Sequence, residues 1–300
     1  MSVVEAGQHM AAAMKTDPHD RTGPRPMLIG ELLQSAGILT DEDVVMVIAA
    51  QRERGLRFGE AAMALGLLKL EDLNRSLSRQ FEYPYVRLGE SGLDPALYVA
   101  YAPFSPQAEA VRNLRSRLML HWGPESNKTL AVVGARRGAG CSRVAANLAI
   151  AFSQLGDRTL LIDANLRAPR QHQLFGLNMV EGLSEILGGR SSLQQAIMPV
   201  PAFPHLSVLG AGVGVPNPQE LVTRREFSYL MQTLPASFDV LIVDAPPMLE
   251  FADAQLISAQ VRSCLLVTRQ HASRMADVET VKEQLQVAGV KLIGAVINTN

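Results

Sequence analysis

The fold of this chain is decided by residues 130–148, LAVVGARRGAGCSRVAANL. The apolar residues 130–133 predict a strand, the glycine-rich residues 134–140 predict a turn, and a helix is predicted to begin at Ser142. Glycines let the backbone approach an anion, and the first free N–H groups of a helix point towards that anion. The stretch therefore predicts a cradle for phosphate groups.

The cradle departs from the P-loop motif G-x-x-x-x-G-K-[ST] at two positions. The second glycine of the motif is Gly140 and the hydroxyl residue is Ser142, but Cys141 stands where the motif has lysine. Ala135 stands in place of the first glycine. The backbone of a phosphate site is thus predicted without the cation that usually accompanies it.

Composition limits the classes of protein to which the chain can belong. With 300 residues, 47% hydrophobic and 19% charged, one large or two modest globular domains are expected. The net charge of −1 gives no reason to expect a nucleic acid as partner. Two distant cysteines do not form a disulfide framework, which favours a reducing cytoplasm. Residues 1–26 lack a signal-peptide pattern and are expected to be a disordered lead, and no stretch has the ~20 apolar residues of a membrane span.

The first predicted domain, residues 27–86, contains an internal repeat with a shift of 29 residues. Each copy predicts a short helix, a glycine turn and a longer helix. The simplest interpretation is a small all-helical domain that packs against itself. The residues that recur are Gly30, Gly37 and Gln51, which reappear as Gly59, Gly66 and Gln80.

The repeat resembles the N-terminal domain of type II secretion and type IV pilus assembly ATPases. Some of those domains bind cyclic di-GMP through two tandem copies of a motif that opens, in outline, with Arg-Leu-Gly. Here the second copy opens with Arg57, whereas the first has Leu28 at that position. Docking of another protein is the alternative role. The resemblance implies cyclic di-GMP binding by Gly30, Gly37, Gln51, Arg57, Gly59, Gly66 and Gln80.

A linker and a charged helix are predicted to follow the repeat. Residues 87–106 carry proline and glycine without periodicity, which is typical of a linker. The helix over residues 107–121 places Glu109, Arg112 and Arg115 three residues apart. From the residues alone, these side chains are expected to form an exposed charged stripe with local ion pairs.

Strands and helices alternate through the second predicted domain, residues 107–300. Runs such as VLIV and TLLI lack alternation of apolar and polar residues, so both faces of their strands are expected to be buried. This pattern indicates an α/β fold, a mostly parallel sheet with helices on both faces. Strands are predicted at 129–133, 159–163, 206–210, 239–244, 263–267 and 291–297, and helices at 142–155, 181–187, 218–233, 252–260 and 275–288.

Candidate chemistry lies at the carboxyl ends of three predicted strands, where such sheets bind ligands. Ser142, Asp163 and Asp244 are predicted to hold Mg²⁺ there, Ser142 through its hydroxyl and Asp244 as the acid that ends VLIVD. The alternative is a dinucleotide-binding Rossmann site that uses the glycines of the same turn. Its third glycine position holds Arg143, which is too large for close packing of helix and strand, so the P-loop interpretation is favoured.

Residues 103–300 resemble the bacterial tyrosine kinases, in particular the chain-length-determinant autokinases of exopolysaccharide loci, on a P-loop fold similar to MinD and ParA ATPases. The matching text includes APFSPQAEAVRNLRSRL, LLIDANLRAPRQHQLFGL and FDVLIVDAPP. The resemblance implies ATP or ADP with Mg²⁺ as cofactors. It implies catalytic roles for Asp163, Arg136 and Asp244, and subunit contact for Glu109, Arg112 and Arg115. Nucleotide contacts are implied for Arg137, Gly138, Ala139, Gly140, Cys141, Ser142, Asn165, Arg167 and Asn298.

Departures from the family pattern weaken the expected activity. Cys141 replaces the loop lysine, and Asn165 replaces the second aspartate of the D-x-D-x-R box of the family. The tyrosine-rich tail of the family is absent from the sequence, which ends at Asn300. Arg136 is a candidate to replace the lost cation, because a lysine of the MinD group reaches across a dimer from that position.

Three hypotheses for function follow. In the first, the second domain is an active enzyme that hydrolyses Mg·ATP or transfers its phosphoryl group, with Asp163 polarising the acceptor. In the second, which Cys141 and Asn165 favour, it is a pseudokinase that serves as a scaffold. In the third, the repeat domain is a sensor and the second domain is its output surface. The resemblance implies a homo-oligomer in the cytoplasm, peripheral to the inner membrane. The implied partner is a membrane chain-length-determinant protein, also called a polysaccharide co-polymerase, and the implied role is control of exopolysaccharide synthesis or export.

Overall fold

The computed structural model describes residues 28–80, 84–87, 89, 91–123 and 127–299. The chain divides into two compact units, Met1–Gln80 and Phe81–Asn300. The predicted disordered lead lies outside the described residues. Over the ranges that are described, no helix combines the length and the apolar character needed to cross a membrane.

The first unit is helical over its described residues, and its helices follow the spacing of the sequence repeat. The helices are α1 (Ile29–Ser35), α2 (Asp41–Arg54), α3 (Phe58–Ala64) and α4 (Leu70–Gln80). Each copy therefore contains a short helix, a turn and a longer helix. The turns place Gly37 and Gly66 at φ values of +68° and +73°, a backbone conformation that glycine adopts without strain.

The first turns of α1 and α3 repeat the same hydrogen bond. Glu31 Oε2 accepts a bond of 2.8 Å from the backbone N–H of Leu28. Glu60 Oε2 accepts a bond of 2.9 Å from the backbone N–H of Arg57. Each glutamate satisfies an N–H group near the start of its helix. The two copies, 29 residues apart, thus repeat the capping hydrogen bond as well as the sequence.

The second unit alternates strands and helices. Its first part contains α5 (Tyr98–Tyr101), α6 (Pro106–Trp122), β1 (Lys128–Gly134), α7 (Cys141–Ser153), β2 (Thr159–Asp163), α8 (Gln171–Leu174), α9 (Leu183–Leu187) and α10 (Leu193–Ala196). The remainder contains β3 (Ile197–Val200), β4 (Phe203–Leu209), α11 (Pro218–Val222), α12 (Arg225–Thr233), β5 (Val240–Asp244), α13 (Asp253–Val261), β6 (Ser263–Arg269), α14 (Met275–Val287) and β7 (Lys291–Asn298).

These strands form one sheet of seven strands in the order β3-β4-β2-β5-β1-β6-β7. All neighbouring strands are parallel except β3 and β4. Every residue of β2 and β5 is buried, and helices pack on both faces of the sheet. The α/β prediction is therefore confirmed, and the carboxyl ends of β1, β2 and β5 meet at one edge.

The structure also differs from the predicted elements at one helix and at one strand. Residues 218–233, predicted as one helix, form α11 and α12 with a break between Val222 and Arg225. The strand β3 was not predicted, and it lies antiparallel at the edge of the sheet. It contains Pro199, which has no N–H group to donate and is tolerated at an edge position.

The predicted linker, residues 87–106, is partly core instead. Leu97, Val99 and Ala100 are fully buried and belong to the same hydrophobic cluster as the sheet. Asn147 on α7 holds this segment: its Oδ1 accepts from Val99 N at 3.0 Å, and its Nδ2 donates to Ala96 O at 3.0 Å. The absence of periodicity indicated irregular backbone, but it did not reveal that the backbone is anchored.

Candidate active site

The loop between β1 and α7 has the geometry of an anion cradle. Gly138 and Gly140 have φ values of +85° and +91°, which residues with side chains rarely adopt. A Cβ at Gly134 would lie 2.8 Å from Cys141 Sγ, so the close approach of the loop to the helix explains that glycine. The loop lines a cavity of about 760 Å³ within the second unit.

Asp163 and Asp244 lie opposite each other in the register of β2 and β5, and both are fully buried. Asp163 Oδ2 accepts bonds from the backbone N–H groups of Arg170 at 2.8 Å and Gln171 at 2.9 Å. Its Oδ1 accepts one from Asn165 N at 3.3 Å. Burial and the charge of Asp244 raise the pKa of Asp163, and these three N–H groups partly oppose that shift.

Asp244 is less completely satisfied than Asp163. Its Oδ2 accepts a bond of 2.8 Å from Gln171 Nε2, and the Ser142 hydroxyl also bonds to this carboxylate. Its Oδ1 is buried and has no hydrogen-bond partner in the described part of the chain. Burial raises the pKa of Asp244, and the bonds from Ser142 and Gln171 partly lower it.

Gln171 is a site residue that the sequence did not reveal. It is fully buried at the start of α8 and connects three parts of the site. Its backbone N–H bonds to Asp163, and its Nε2 bonds to Asp244 and, at 3.2 Å, to the Ser142 carbonyl. The sequence signal that could have revealed Gln171 is a polar residue at the start of a helix, shortly after the aspartate that ends β2.

The oxygen atoms around Ser142 fit a magnesium ion. Asp244 Oδ1 and Gln171 Oε1 are both buried without a hydrogen-bond partner among the described residues, and the Ser142 hydroxyl lies beside Asp244. Mg²⁺ prefers oxygen ligands and commonly uses one or two carboxylates together with water and substrate phosphates. Within the described ranges, no group of three or more His, Cys, Asp or Glu residues could hold a metal without such additional ligands.

Cys141 begins α7 at the position of the missing lysine. Burial, and secondarily the charge of Asp244, raise the pKa of its thiol far above the ordinary range. The thiol therefore remains neutral at physiological pH. It supplies neither the positive charge of a lysine nor the negative charge of a reactive thiolate.

The two arginines of the loop are held by carboxylates. Arg136 donates to Asp277 through Nε at 2.7 Å and through Nη2 at 3.0 Å. Arg137 donates to Glu250 through its backbone N at 2.8 Å and through Nε at 3.0 Å. Both guanidinium groups are more than half exposed, so these pairs are weak and can open.

The other predicted nucleotide contacts divide into two groups. Asn165 lines the cavity, and its Oδ1 accepts from Ala168 N at 3.2 Å. Arg167 is engaged with Asp253 at 2.6 Å and does not line the cavity. Asn298 Nδ2 donates to Ala139 O at 3.0 Å, so it ties the end of β7 to the loop and is likewise outside the cavity lining.

The cavity is strongly basic, although its loop lacks lysine. Among the lining residues that the structure describes, Asp94 is the one acid. This excess of guanidinium groups favours an anionic ligand. The arginines that line the cavity are Arg136, Arg137, Arg143, Arg170 and Arg269.

The predicted charged stripe on α6 is corrected by the structure. Arg112 donates to Glu109 Oε2 through Nε at 3.0 Å and also to the Pro103 carbonyl. Arg115, expected to be exposed, is buried and donates to the Ala151 carbonyl on α7. Its guanidinium reaches across to a carbonyl of the neighbouring helix, a contact that spacing along α6 alone did not show.

Comparison with known proteins identifies the family. A model of the ParA family, described as NUBPL iron-transfer P-loop NTPase, matches residues 125–300. The tyrosine-protein kinase YwqD of Bacillus subtilis strain 168 is 35% identical over 196 residues, which cover 65% of this chain and 82% of that protein. The chain belongs to the bacterial tyrosine kinase family of P-loop NTPases.

Two further relatives show how much of each chain the similarity covers. The kinase domain of the Escherichia coli tyrosine kinase ETK has a TM-score of 0.67 and 33% identity, over 71% of this chain and 84% of that chain. The tyrosine-protein kinase wzc of Salmonella typhi is 32% identical over 191 residues, which are 64% of this chain. This chain covers only 26% of that longer kinase.

Proposed function

We propose that the second unit of this tyrosine kinase family member binds Mg·ATP or Mg·ADP but transfers phosphoryl groups very slowly, as a weakened kinase or a pseudokinase. The observation that carries the proposal is the neutral thiol of Cys141 at the position of the family's lysine. The glycine-rich loop and the basic cavity around it support phosphate binding.

Ground-state binding depends on groups that this chain retains. The loop backbone around Gly138 and Gly140 and the first N–H groups of α7 form the cradle for the phosphates. Arginines on the cavity wall supply positive charge. Ser142 and Asp244 would hold Mg²⁺, which would supply positive charge to neutralise the phosphate groups.

The transfer step is expected to be slow because the lost ammonium normally lies where charge shifts between phosphates. Asn165, in place of the second carboxylate of the family's acidic box, removes a further charge from the cavity wall. We infer that Arg136 compensates in part from a second subunit, and the exposure of its pair with Asp277, which opens at little cost, supports this role.

The physiological role follows from the relatives as part of the proposal. We place the chain in the cytoplasm, at the inner membrane, as a homo-oligomer with a membrane polysaccharide co-polymerase as partner. There it would regulate exopolysaccharide or capsule chain length, synthesis or export. Glu109 and Arg112 remain candidates for subunit contact because both lie on the surface of α6, whereas Arg115 would act by supporting that helix.

Calorimetric titration of the full chain tests the binding proposal. Mg·ATP and Mg·ADP should bind, and excess EDTA should weaken both. Ser142→Ala should weaken binding in the presence of Mg²⁺ but have little effect in EDTA. Ser116→Ala, on the exposed surface of α6, is the matched control and should leave both affinities unchanged. If wild type binds neither nucleotide, the cradle has no such ligand and the proposal is wrong.

A second candidate function concerns the first unit, which we propose as a cyclic di-GMP sensor. The observation that favours it is Arg57, whose exposed guanidinium has no partner among the described residues and lies at the start of α3. Packing accounts for the glycines without a ligand, because a Cβ at Gly59 would collide with Leu73, and one at Gly30 would press on Phe58. The proposal therefore depends on Arg57.

A further inference from the structure

Helix α2 exposes apolar side chains on the side that faces away from its own core. Val47 and Ala50 are buried in the small core of the first unit. On the opposite side, Val45 is 67% exposed, Met46 49% and Ile48 38%. Neighbouring apolar residues that face water on one helix indicate an interaction surface.

The repeat itself does not require this apolar surface. In the second copy, Asn74 on α4 occupies the position that corresponds to Val45, and it is buried. The two longer helices thus share their fold but differ in what they present to solvent. Within the described part of the repeat, α2 carries an apolar stripe formed by Val45 and Ile48, and α4 carries no equivalent of Val45.

The stripe has the spacing of a coiled-coil seam. Asp41, Val45, Ile48 and Arg52 follow one another at intervals of four, three and four residues, and all four are exposed. These intervals are those of alternating d and a positions in a heptad. A short apolar seam is therefore flanked by an acid at one end and a base at the other.

The charges at the two ends specify an antiparallel partner of the same sequence. In an antiparallel pair, a positions face d positions, so Val45 would face Ile48 of the second copy and Asp41 would face Arg52 of the second copy. Both ends then carry opposite charges. A parallel pair would instead place Asp41 against Asp41 and Arg52 against Arg52. Arg52 has no ion-pair partner within the described part of the chain, so it is free for this contact.

We propose that α2 pairs with α2 of a second copy of this chain in an antiparallel two-helix contact. The contact is limited to one helix of 14 residues, so it is small and reversible. It is separate from any subunit contact through α6 and does not depend on nucleotide binding by the second unit.

Charge reversal in the full chain tests this pairing by sedimentation over a dilution series. Asp41→Arg and Arg52→Asp each place like charges at both ends of the pair, so each variant should dimerise about tenfold or more weakly than wild type. An equimolar mixture of the two variants should recover association, because the mixed pair again has opposite charges at both ends. Glu279→Arg, an exposed reversal on α14, should leave association unchanged.

Circular dichroism separates lost contact from lost fold. Asp41 also accepts a bond of 2.8 Å from Gln34 Nε2, so Arg52→Asp, which breaks no such bond, is the cleaner single variant. Recovery in the mixture cannot arise from two misfolded chains and would support the proposal. A monomeric wild type, single variants that associate like wild type, or a mixture that does not recover would each overturn it.

Discussion

In the second unit, Asp163 and Asp244 come from strands far apart in the chain, meet in register and are fully buried. In the first unit, Arg57 lies beside its own helix start and is exposed to solvent. The candidate site of the second unit is therefore formed by residues that are distant in the sequence. The candidate groups of the first unit come from a local repeat.

This difference determines how sensitive each unit is to substitution. A buried charge is costly unless it is paired, so changes at Asp244 or Cys141 should alter ion binding and phosphoryl transfer strongly. Exposed groups are screened by water and contribute little to stability, so changes at Arg57 should affect a ligand and leave the fold intact.

The largest expected effect is a gain of turnover in the second unit. Cys141→Lys should raise the rate of Mg·ATP hydrolysis by roughly 10²–10³, because one preorganised donor at developing charge is worth that factor. The double variant with Asn165→Asp should gain further. Steady-state hydrolysis by the full chain measures both rates.

Cys141→Met, which is unbranched and uncharged, is the matched control and should remain as slow as wild type. A wild type that already hydrolyses ATP as fast as Cys141→Lys would contradict the weakened-kinase proposal. So would equal gains from lysine and methionine, since those would show that size and not charge limits the rate.

The next effect contrasts the two ends of β5. Asp244→Asn should lower affinity for Mg·ADP by about tenfold to a hundredfold, because a group that orients the metal or its water is lost. Asp239→Asn, just before the same strand, should leave that affinity unchanged, since Asp239 pairs with Arg158 at the opposite end. Titration calorimetry measures both, and equal losses would show that the strand rather than the site was damaged.

In the first unit, Arg57→Ala should reduce cyclic di-GMP binding about tenfold to a hundredfold, through loss of a charge-assisted contact. Leu28→Arg should strengthen binding, because it restores the opening arginine of the first copy. Arg54→Ala, an exposed loss of charge at the end of α2, is the control. No binding by wild type at high micromolar ligand would leave protein docking as the better account of this unit.

A smaller effect separates two arginines of one helix. Arg115→Ala should lower the free energy of unfolding by about 1–3 kcal/mol, since the Ala151 carbonyl loses its buried donor. Arg112→Ala removes a partly exposed pair and should cost at most about 1 kcal/mol. Urea unfolding measures both. Equal costs would show that Arg115 is not held as the structure has it.

The smallest effect is a difference in pH dependence. Folding raises the pKa of Asp244, so the folded state binds a proton there more tightly than the unfolded state does. This carboxyl therefore lowers the stability of the fold as the pH rises above the ordinary pKa of an aspartate. Asp239 behaves in the opposite way, because Arg158 lowers its pKa to about 2. Its contribution to stability is present above the ordinary pKa of an aspartate and is lost as the pH falls towards about 2.

Urea unfolding in EDTA at about pH 5 and about pH 8 detects this difference. Relative to wild type, Asp244→Asn should be more stable at the higher pH than at the lower one. Asp239→Asn should show no such gain at the higher pH. The same response from both variants would contradict the assigned pKa directions.

Much of the fold was predictable because it is encoded in local patterns. Apolar runs without alternation indicated strands buried on both faces, and the sheet has those strands. The short edge strand β3 was missed because its sequence includes Pro199 and carries no strand pattern. The segment around Val99 has the composition of a linker, and its packing could not be predicted because it depends on Asn147, which lies far along the chain.

The repeat, the alternation of strands and helices, the glycine-rich loop and the position of Cys141 within it can all be read from the sequence, because they depend on residue type and spacing. The contacts of Gln171 with Asp163, Asp244 and Ser142, and the pair of Arg136 with Asp277, arise from tertiary packing. Apart from the bond between Gln171 and Asp163, those contacts connect residues far apart in the chain. Which polar groups share a buried space, and which of them lack a partner, depends on how the strands and helices pack and not on the order of the residues.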